Sequence, residues 1–334
     1  MNDPASDKPK RRARYAGKNP RNFSEKYKEH APERYTDDVE KILASGKTPA
    51  GTHRPIMLRE ILAVLAPKPG DLIVDCTLGY GGHARELLAA IQPGGRLIGL
   101  DADPLELPKT EARLRALGFG PDAFSAHRTN YAGLAKLLPS PADCILADLG
   151  LSSMQLDNPT RGFTYKHDGP LDLRMNPERG QPASALLSTL DEKRLAALLT
   201  ENADEPSATP LARAILREPI LSTIPLVKII RASGGDDDTV RRVFQALRIA
   251  VNDEFSALDT FLRQLPLCLK PGGRAAILSF HSGEDRRVKK AFQSGARDGT
   301  YRAVSPDIQR PTAAETRANP RASSAKLRWA VRCD

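Results

Sequence analysis

Three aspartates and a run of glycines are the residues whose types and spacing could do chemistry in this chain. Asp75 and Asp101 close the short apolar runs Leu72-Ile-Val-Asp75 and Arg96-Leu-Ile-Gly-Leu-Asp101, and Asp148 closes a third within residues 143–149. Between the first two lies Asp75-Cys-Thr-Leu-Gly-Tyr-Gly-Gly-His-Ala84, which leads into a helical pattern reaching Ile91. Gly79, Gly81 and Gly82 at a strand-to-helix turn let the backbone approach a ligand with no side chain in the way. The open N–H groups at the start of the next helix would face that ligand. A carboxylate at Asp101, roughly 20 residues further on, can accept both hydroxyls of a ribose. The pattern is that of a nucleotide-cofactor site.

Two cofactors use such a site. Gly79-Tyr-Gly-Gly-His-Ala84 matches the dinucleotide fingerprint G-x-G-x-x-G/A, so an NAD-dependent dehydrogenase is one reading. Two features pull towards S-adenosyl-L-methionine. Asp75 would crowd a pyrophosphate but suits a cationic methionine end. Leu269-Lys-Pro-Gly-Gly-Arg-Ala-Ala-Ile-Leu-Ser-Phe280 puts a Pro-Gly-Gly turn before a late strand, an arrangement common in Rossmann-like methyltransferases.

The elements that must position these residues alternate. Strands are expected at Leu72–Asp75, Arg96–Asp101, Ala123–His127 and Asp143–Leu149, with helices between them and one before, from Met57 to Leu65. That alternation predicts a parallel sheet with crossover helices. From 157 to 242 it stops, and only helical patterns remain: Pro182–Leu190, Glu192–Glu201, Pro210–Arg217 and Pro225–Ala232. A single long helix through Val240–Leu265, a strand Arg274–Ser279 and closing strands Tyr301–Val304 and Leu327–Val331 follow. The fold class expected is α/β, a Rossmann-like class I methyltransferase sheet with an inserted helical domain. Its parts are a basic tail (1–50, expected to be disordered apart from a short helix around Asp37–Ala44), a first sheet segment (51–156), a helical insertion (157–242) and a second sheet segment (243–334).

Composition narrows the function classes. No apolar run approaches the roughly 20 residues of a membrane span, and the N-terminus lacks an apolar signal core. A cytoplasmic protein is expected. Cys76, Cys144, Cys268 and Cys333 are scattered, and His30, His127 and His167 lack ligand spacing, so neither disulfide nor metal is expected. The net charge of +9 gathers in two clusters, Lys8 to Arg21 and Arg286 to Arg332. Flanking a cofactor domain, they favour a polyanionic partner.

Longer motifs sharpen this. Asp148-Leu-Gly-Leu-Ser-Ser-Met-Gln-Leu-Asp157 runs on to Arg161-Gly-Phe-Thr164 and Gly169-Pro-Leu-Asp-Leu-Arg-Met175. Phe244-Gln-Ala-Leu-Arg-Ile-Ala-Val-Asn-Asp-Glu254, Phe280-His-Ser-Gly-Glu-Asp-Arg286 and Asn319-Pro-Arg-Ala-Ser-Ser-Ala-Lys-Leu-Arg328 come later. Together with His53-Arg-Pro-Ile-Met-Leu58, these closely resemble the bacterial RsmH (MraW) family from about residue 53 onward. The resemblance implies N4-methylation of a cytosine in the decoding centre of small-subunit 16S ribosomal RNA, with S-adenosyl-L-methionine as cofactor. By motif position it places cofactor contacts on Gly81, Gly82, His83, Asp101, Tyr131, Asp148 and Gln155, and RNA recognition on the insertion. The family usually has Leu at Gly283, and Tyr-Gly-Glu-Glu where this chain reads Asn202-Ala-Asp-Glu205.

The cytosine N4 lone pair is delocalised into the ring, so an acceptor for its protons and alignment behind the transferring methyl are what an enzyme can add. Asp148, or the carbonyls of Leu149 and Gly150, could be that acceptor. His281, just beyond a core strand, is a second candidate, balanced against a structural role. Asp172 with Arg174 reads first as an ion pair fixing the insertion and otherwise as a contact to the flipped cytosine, and Arg248 with Asn252 as one hydrogen-bonding helix face. The partner expected is 16S ribosomal RNA, within the small subunit. The sequence leaves oligomeric state open, a homodimer included. It also leaves open an assembly factor of the same fold that has lost transfer.

Overall fold

The computed structural model describes residues 55–334. The basic tail, the short helix expected around Asp37–Ala44 and the first two residues of His53-Arg-Pro lie outside the described residues.

Seven strands form one sheet in the order β3-β2-β1-β4-β5-β7-β6. β1 (Leu72–Asp75), β2 (Arg96–Asp101), β3 (Phe124–Arg128), β4 (Ala142–Asp148) and β5 (Leu269–Ser279) are parallel, while β6 (Tyr301–Val304) and β7 (Lys326–Arg332) run antiparallel to their neighbours. The expected α/β sheet is therefore present. Adjacent residues of a strand point to opposite faces, and both faces are buried, as parallel sheets require. Val74, Ile98, Ile145 and Ile277 join one apolar cluster, whereas Ile73, Leu97, Leu146 and Leu278 join the other.

The first face is covered by α11 (Glu254–Cys268) and α12 (Ser282–Arg297) through Phe261, Leu265, Val288 and Phe292. The second is covered by α1 (Leu58–Leu65), α2 (Gly82–Ile91) and α3 (Leu107–Ala116) through Ile61, Leu65, Leu87 and Leu114. A short α4 (Leu134–Leu137) precedes β4, and α13 (Ala313–Ala318) precedes β7.

Between β4 and β5 the chain leaves the sheet. After α5 (Ser153–Asp157) come α6 (Ala183–Thr189), α7 (Glu192–Ala203), α8 (Ala208–Ile215), α9 (Thr223–Ala232) and α10 (Asp237–Asn252). They bury a third cluster that includes Phe163, Leu195, Leu199, Leu211, Leu226, Phe244 and Leu247. α10 contributes to it on both sides of residue 242, through Val240 and Leu247.

One expected element is corrected. The helix expected through Val240–Leu265 is two helices, α10 and α11, separated by Asp253 in the left-handed region (φ 50°). The apolar periodicity continues across the break, so periodicity alone does not show it. Asp is among the few residues that tolerate that conformation. The break turns Glu254 back onto Arg248, whose Nε and Nη2 donate to its two carboxylate oxygens at 2.7 and 2.8 Å. No helix among the described residues is long and apolar enough to cross a membrane.

Candidate active site

The strand order places β2, β1 and β4 side by side, so Asp101, Asp75 and Asp148 stand at the same C-terminal edge. This is the edge at which open α/β sheets bind ligands. The glycine turn is pinned from both sides. Gly79 N–H donates to Asp101 Oδ2 (2.8 Å), and Thr110 Oγ1 donates to the Gly79 carbonyl (2.6 Å). Gly81 has φ 80°, and a Cβ there would lie 2.9 Å from Thr110 Cγ2, so both backbone and packing require glycine.

Asp101 Oδ1 also accepts the Asp103 N–H at 2.8 Å. Each carboxylate oxygen keeps a further lone pair, so two bound N–H groups orient the carboxylate without filling it. Burial pushes Asp101 up to about 6 against the opposing effect of those two N–H groups. Asp75 is buried, and its Oδ1 accepts the Thr77 N–H at 3.1 Å. Burial pushes it up to about 6 as well, with His83 opposing and Asp148 and Asp101 adding.

Asp148 is the most perturbed of the three, pushed up to about 7 by burial and then by the neighbouring charge of Glu284. Its backbone N–H donates to Thr77 Oγ1 (2.6 Å), fastening the tip of β4 to the loop after β1. Its Oδ1 is buried with no hydrogen-bond partner among the described residues. The His83 ring is buried, with Nε2 3.0 Å from the Ile56 carbonyl and Nδ1 3.7 Å from Asp148 Oδ2.

The other expected residues are placed as follows. Tyr131 sits in a 3-10 turn after β3, half-buried, its ring 5.4 Å from that of Phe261. Burial, with Glu254 and Glu284 nearby, pushes its hydroxyl above the usual tyrosine range. Gln155 is buried in α5, where Oε1 accepts the Ser152 N–H (3.0 Å) and Nε2 donates to Asp103 Oδ2 (2.8 Å). His281 caps α12, with Nδ1 accepting the Glu284 N–H (3.4 Å) and Nε2 lying 3.2 Å from Glu284 Oε1. So Gly81, Gly82, His83, Asp101 and Asp148 gather around one sheet edge, while Gln155 and His281 are engaged with Asp103 and Glu284.

Asp172 and Arg174 form the expected ion pair (2.7 Å). Asn252 donates to the Leu173 carbonyl (2.7 Å) and accepts the Met175 N–H (2.7 Å), so it holds the insertion's first segment. No metal-binding cluster exists among the described residues.

Two buried carboxylates near this edge were not singled out from the sequence. Glu284 is buried and accepts the Phe280 N–H (2.9 Å). Burial alone would raise it, yet His281 and Arg248 hold it below the usual carboxylate range. Asp103 is buried against Gln155 and Arg161. Ser or Thr followed three residues later by Glu would have been a readable capping signal, but the cap here is His281, so the sequence carried none for Glu284. The repeat Asp101-Ala-Asp103 was the only hint of the second.

The arrangement fits a ligand with a cationic end. Three carboxylates raised by burial, one with an unpartnered buried oxygen, leave an uncompensated negative pocket that a sulfonium and an ammonium would neutralise. S-adenosyl-L-methionine carries both, so the residues present fit it.

The sequence profile of the MraW methylase family matches residues 50–333. A protein of Alkaliphilus metalliredigens named ribosomal RNA small subunit methyltransferase H 2 is 46% identical, over 99% of this chain and 99% of its own length. One of Lachnoclostridium phytofermentans, named ribosomal RNA small subunit methyltransferase H 1, is 46% identical over 97% of this chain and 93% of its own. Matched by that profile and by these relatives along nearly its whole length, the protein belongs to the MraW methylase family.

Proposed function

We propose that this protein transfers a methyl group from S-adenosyl-L-methionine to the N4 amine of a cytosine in the decoding centre of 16S ribosomal RNA, within the small ribosomal subunit. The names of its relatives support a small-subunit ribosomal RNA substrate. The observation that carries the amine is the buried, unpartnered Oδ1 of Asp148 at the end of β4. An exocyclic amine brings N–H donors, and this oxygen is an acceptor without one.

The bound cofactor supplies an electrophilic methyl on sulfur. Asp101 would receive the ribose hydroxyls, and Asp75 would face the cationic methionine end. Gly81 and Gly82 let the backbone close on the cofactor, and Tyr131 lies beyond β3, where its ring would border the adenine. Asp148 in its ionised form accepts a hydrogen bond from an N4–H, which favours localisation of the nitrogen lone pair and aims it at the methyl. As N4 takes the methyl that the cofactor's sulfur would give up, positive charge would develop on the nitrogen beside the Asp148 carboxylate. That nitrogen is then far more acidic, and its proton passes to Asp148 or water. Removal of a proton need not precede transfer.

Residues 157–242 are read as the RNA-recognition insertion. Their own apolar core, which α10 completes, lets them present a fixed surface beside the β4 and β5 tips. The alternative of a fold that has lost transfer is disfavoured by the intact carboxylate edge. The test is methyl transfer from labelled cofactor to unmethylated 30S subunits, followed by nucleoside analysis. N4-methylcytidine at a single site is the expected product. A different methylated nucleoside, or none, would overturn the reading.

A further inference from the structure

Asp103 lies at the tip of β2, two residues past Asp101, and is 1% exposed. A buried carboxylate is costly unless paired and hydrogen-bonded. Asp103 meets that requirement through residues far along the chain. Its Oδ2 accepts Gln155 Nε2 (2.8 Å) and Arg161 Nη1 (2.7 Å), and its Oδ1 accepts the Leu105 N–H (2.9 Å). Arg161, 7% exposed, has its other terminal nitrogen donating to the carbonyls of Arg174 (3.1 Å) and Met175 (2.8 Å). One guanidinium therefore ties the cofactor loop to the start of the insertion. The far end is fixed in turn, because Asn252 of α10 holds Leu173 and Met175.

The loop depends on this tie. Asp103 N–H orients Asp101, and Asp103 Oδ1 holds Leu105, so residues 101–105 form two successive aspartate-stabilised turns. With Arg161 gone, Asp103 would keep only the Gln155 amide for its second oxygen. Asp103 would then be a buried carboxylate short of a partner, and turning it out of the core would carry its backbone N–H away from Asp101.

We infer that Arg161 is a positioning residue of the cofactor site: by holding Asp103 it fixes the ribose-binding carboxylate of Asp101 and couples it to the Arg174–Met175 segment of the insertion. This rests on the ribose assignment of Asp101 made above.

The test is a double-mutant cycle on cofactor affinity, measured by titration calorimetry with S-adenosyl-L-methionine and each folded variant. Arg161→Gln should weaken binding about tenfold, within the usual range for coupled sites. Arg161→Lys, which keeps a cation for Asp103, should recover part of the loss. In an Asp101→Ala background, Arg161→Gln should cost little more, because the residue acts through Asp101. Additive losses, or unchanged affinity in Arg161→Gln while Asp101→Ala is weakened, would overturn the positioning role. Should Asp101→Ala itself bind normally, the ribose assignment fails and the coupling through it falls too. If Arg161→Gln does not fold, Asp103→Asn keeps the side chain's shape, removes its charge and runs the same cycle.

Discussion

Asp148 and His83 face one another across the cofactor edge, with 3.7 Å between Asp148 Oδ2 and His83 Nδ1. Burial holds His83 below its usual range, and with a proton on Nε2 it serves the Ile56 carbonyl. At 3.7 Å the two groups are in electrostatic reach but not hydrogen-bonded, and burial favours the neutral form of each. A bound cation would favour the ionised carboxylate and leave the imidazole neutral.

This gives a pH signature. The folded protein holds protons on Asp75 and Asp101 up to about 6 and on Asp148 up to about 7, above the unfolded value of 3.8. Raised acids make the folded state the better proton binder, so without cofactor they lower stability as pH rises from about 4 through about 7. A sulfonium and an ammonium favour the ionised forms. The rise in melting temperature on adding S-adenosyl-L-methionine should therefore be larger at about pH 8 than at about pH 5, and binding near pH 6 should release protons. Calorimetry in buffers of different ionisation enthalpy reads the release. A thermal shift independent of pH would contradict the pairing.

Asp148→Ala should lower single-turnover transfer at saturating cofactor by about 10²-fold, the loss typical of one preorganised group at the reacting centre. Affinity for the subunit should change little, because the contact matters most as charge develops on N4. Transfer near the wild-type rate would remove Asp148 from the chemistry.

Arg248→Met should destabilise the protein by about 3 kcal/mol, because it strands the buried Glu254 carboxylate. Replacing both, as Arg248→Met with Glu254→Leu, should recover most of that. Urea denaturation of the three proteins decides. Equal losses in single and double variants would show that the pair acts by shape rather than charge.

Deleting residues 1–48 removes Lys8, Lys10, Arg11, Arg12, Arg14, Lys18 and Arg21 among other charges. The expected result is weaker binding to 30S subunits, most marked at low salt. The plot of log affinity against log salt should flatten by about 0.7–0.9 for each phosphate that the shortened chain leaves unneutralised. The methylated position should stay the same, since binding to phosphates carries no sequence information. An unaltered salt slope would mean that the segment does not touch the RNA.

The sheet was readable because its signals are local. Leu72–Asp75, Arg96–Asp101 and Tyr301–Val304 each coincide with a strand, and the glycine turn sits where the spacing puts it. What escaped depends on partners distant in sequence. Asp103 meets Arg161 58 residues later, and the role of Glu284 depends on His281, Arg248 and the tip of β4. The break at Asp253 escaped for another reason. A single residue of positive φ changes no apolar period, and only the Arg248–Glu254 pairing explains why it is useful.

The position of β7 bears on how the molecule assembles. It is the last of the seven strands in sequence, yet it lies inside the sheet between β5 and β6, and β6 has no other neighbour there. During synthesis β6 must wait unpaired for the strand that joins it to β5. Its edge is a transient hazard of the kind that chaperones cover. Shortening the chain by a few residues before Arg332 would cost two strands rather than one.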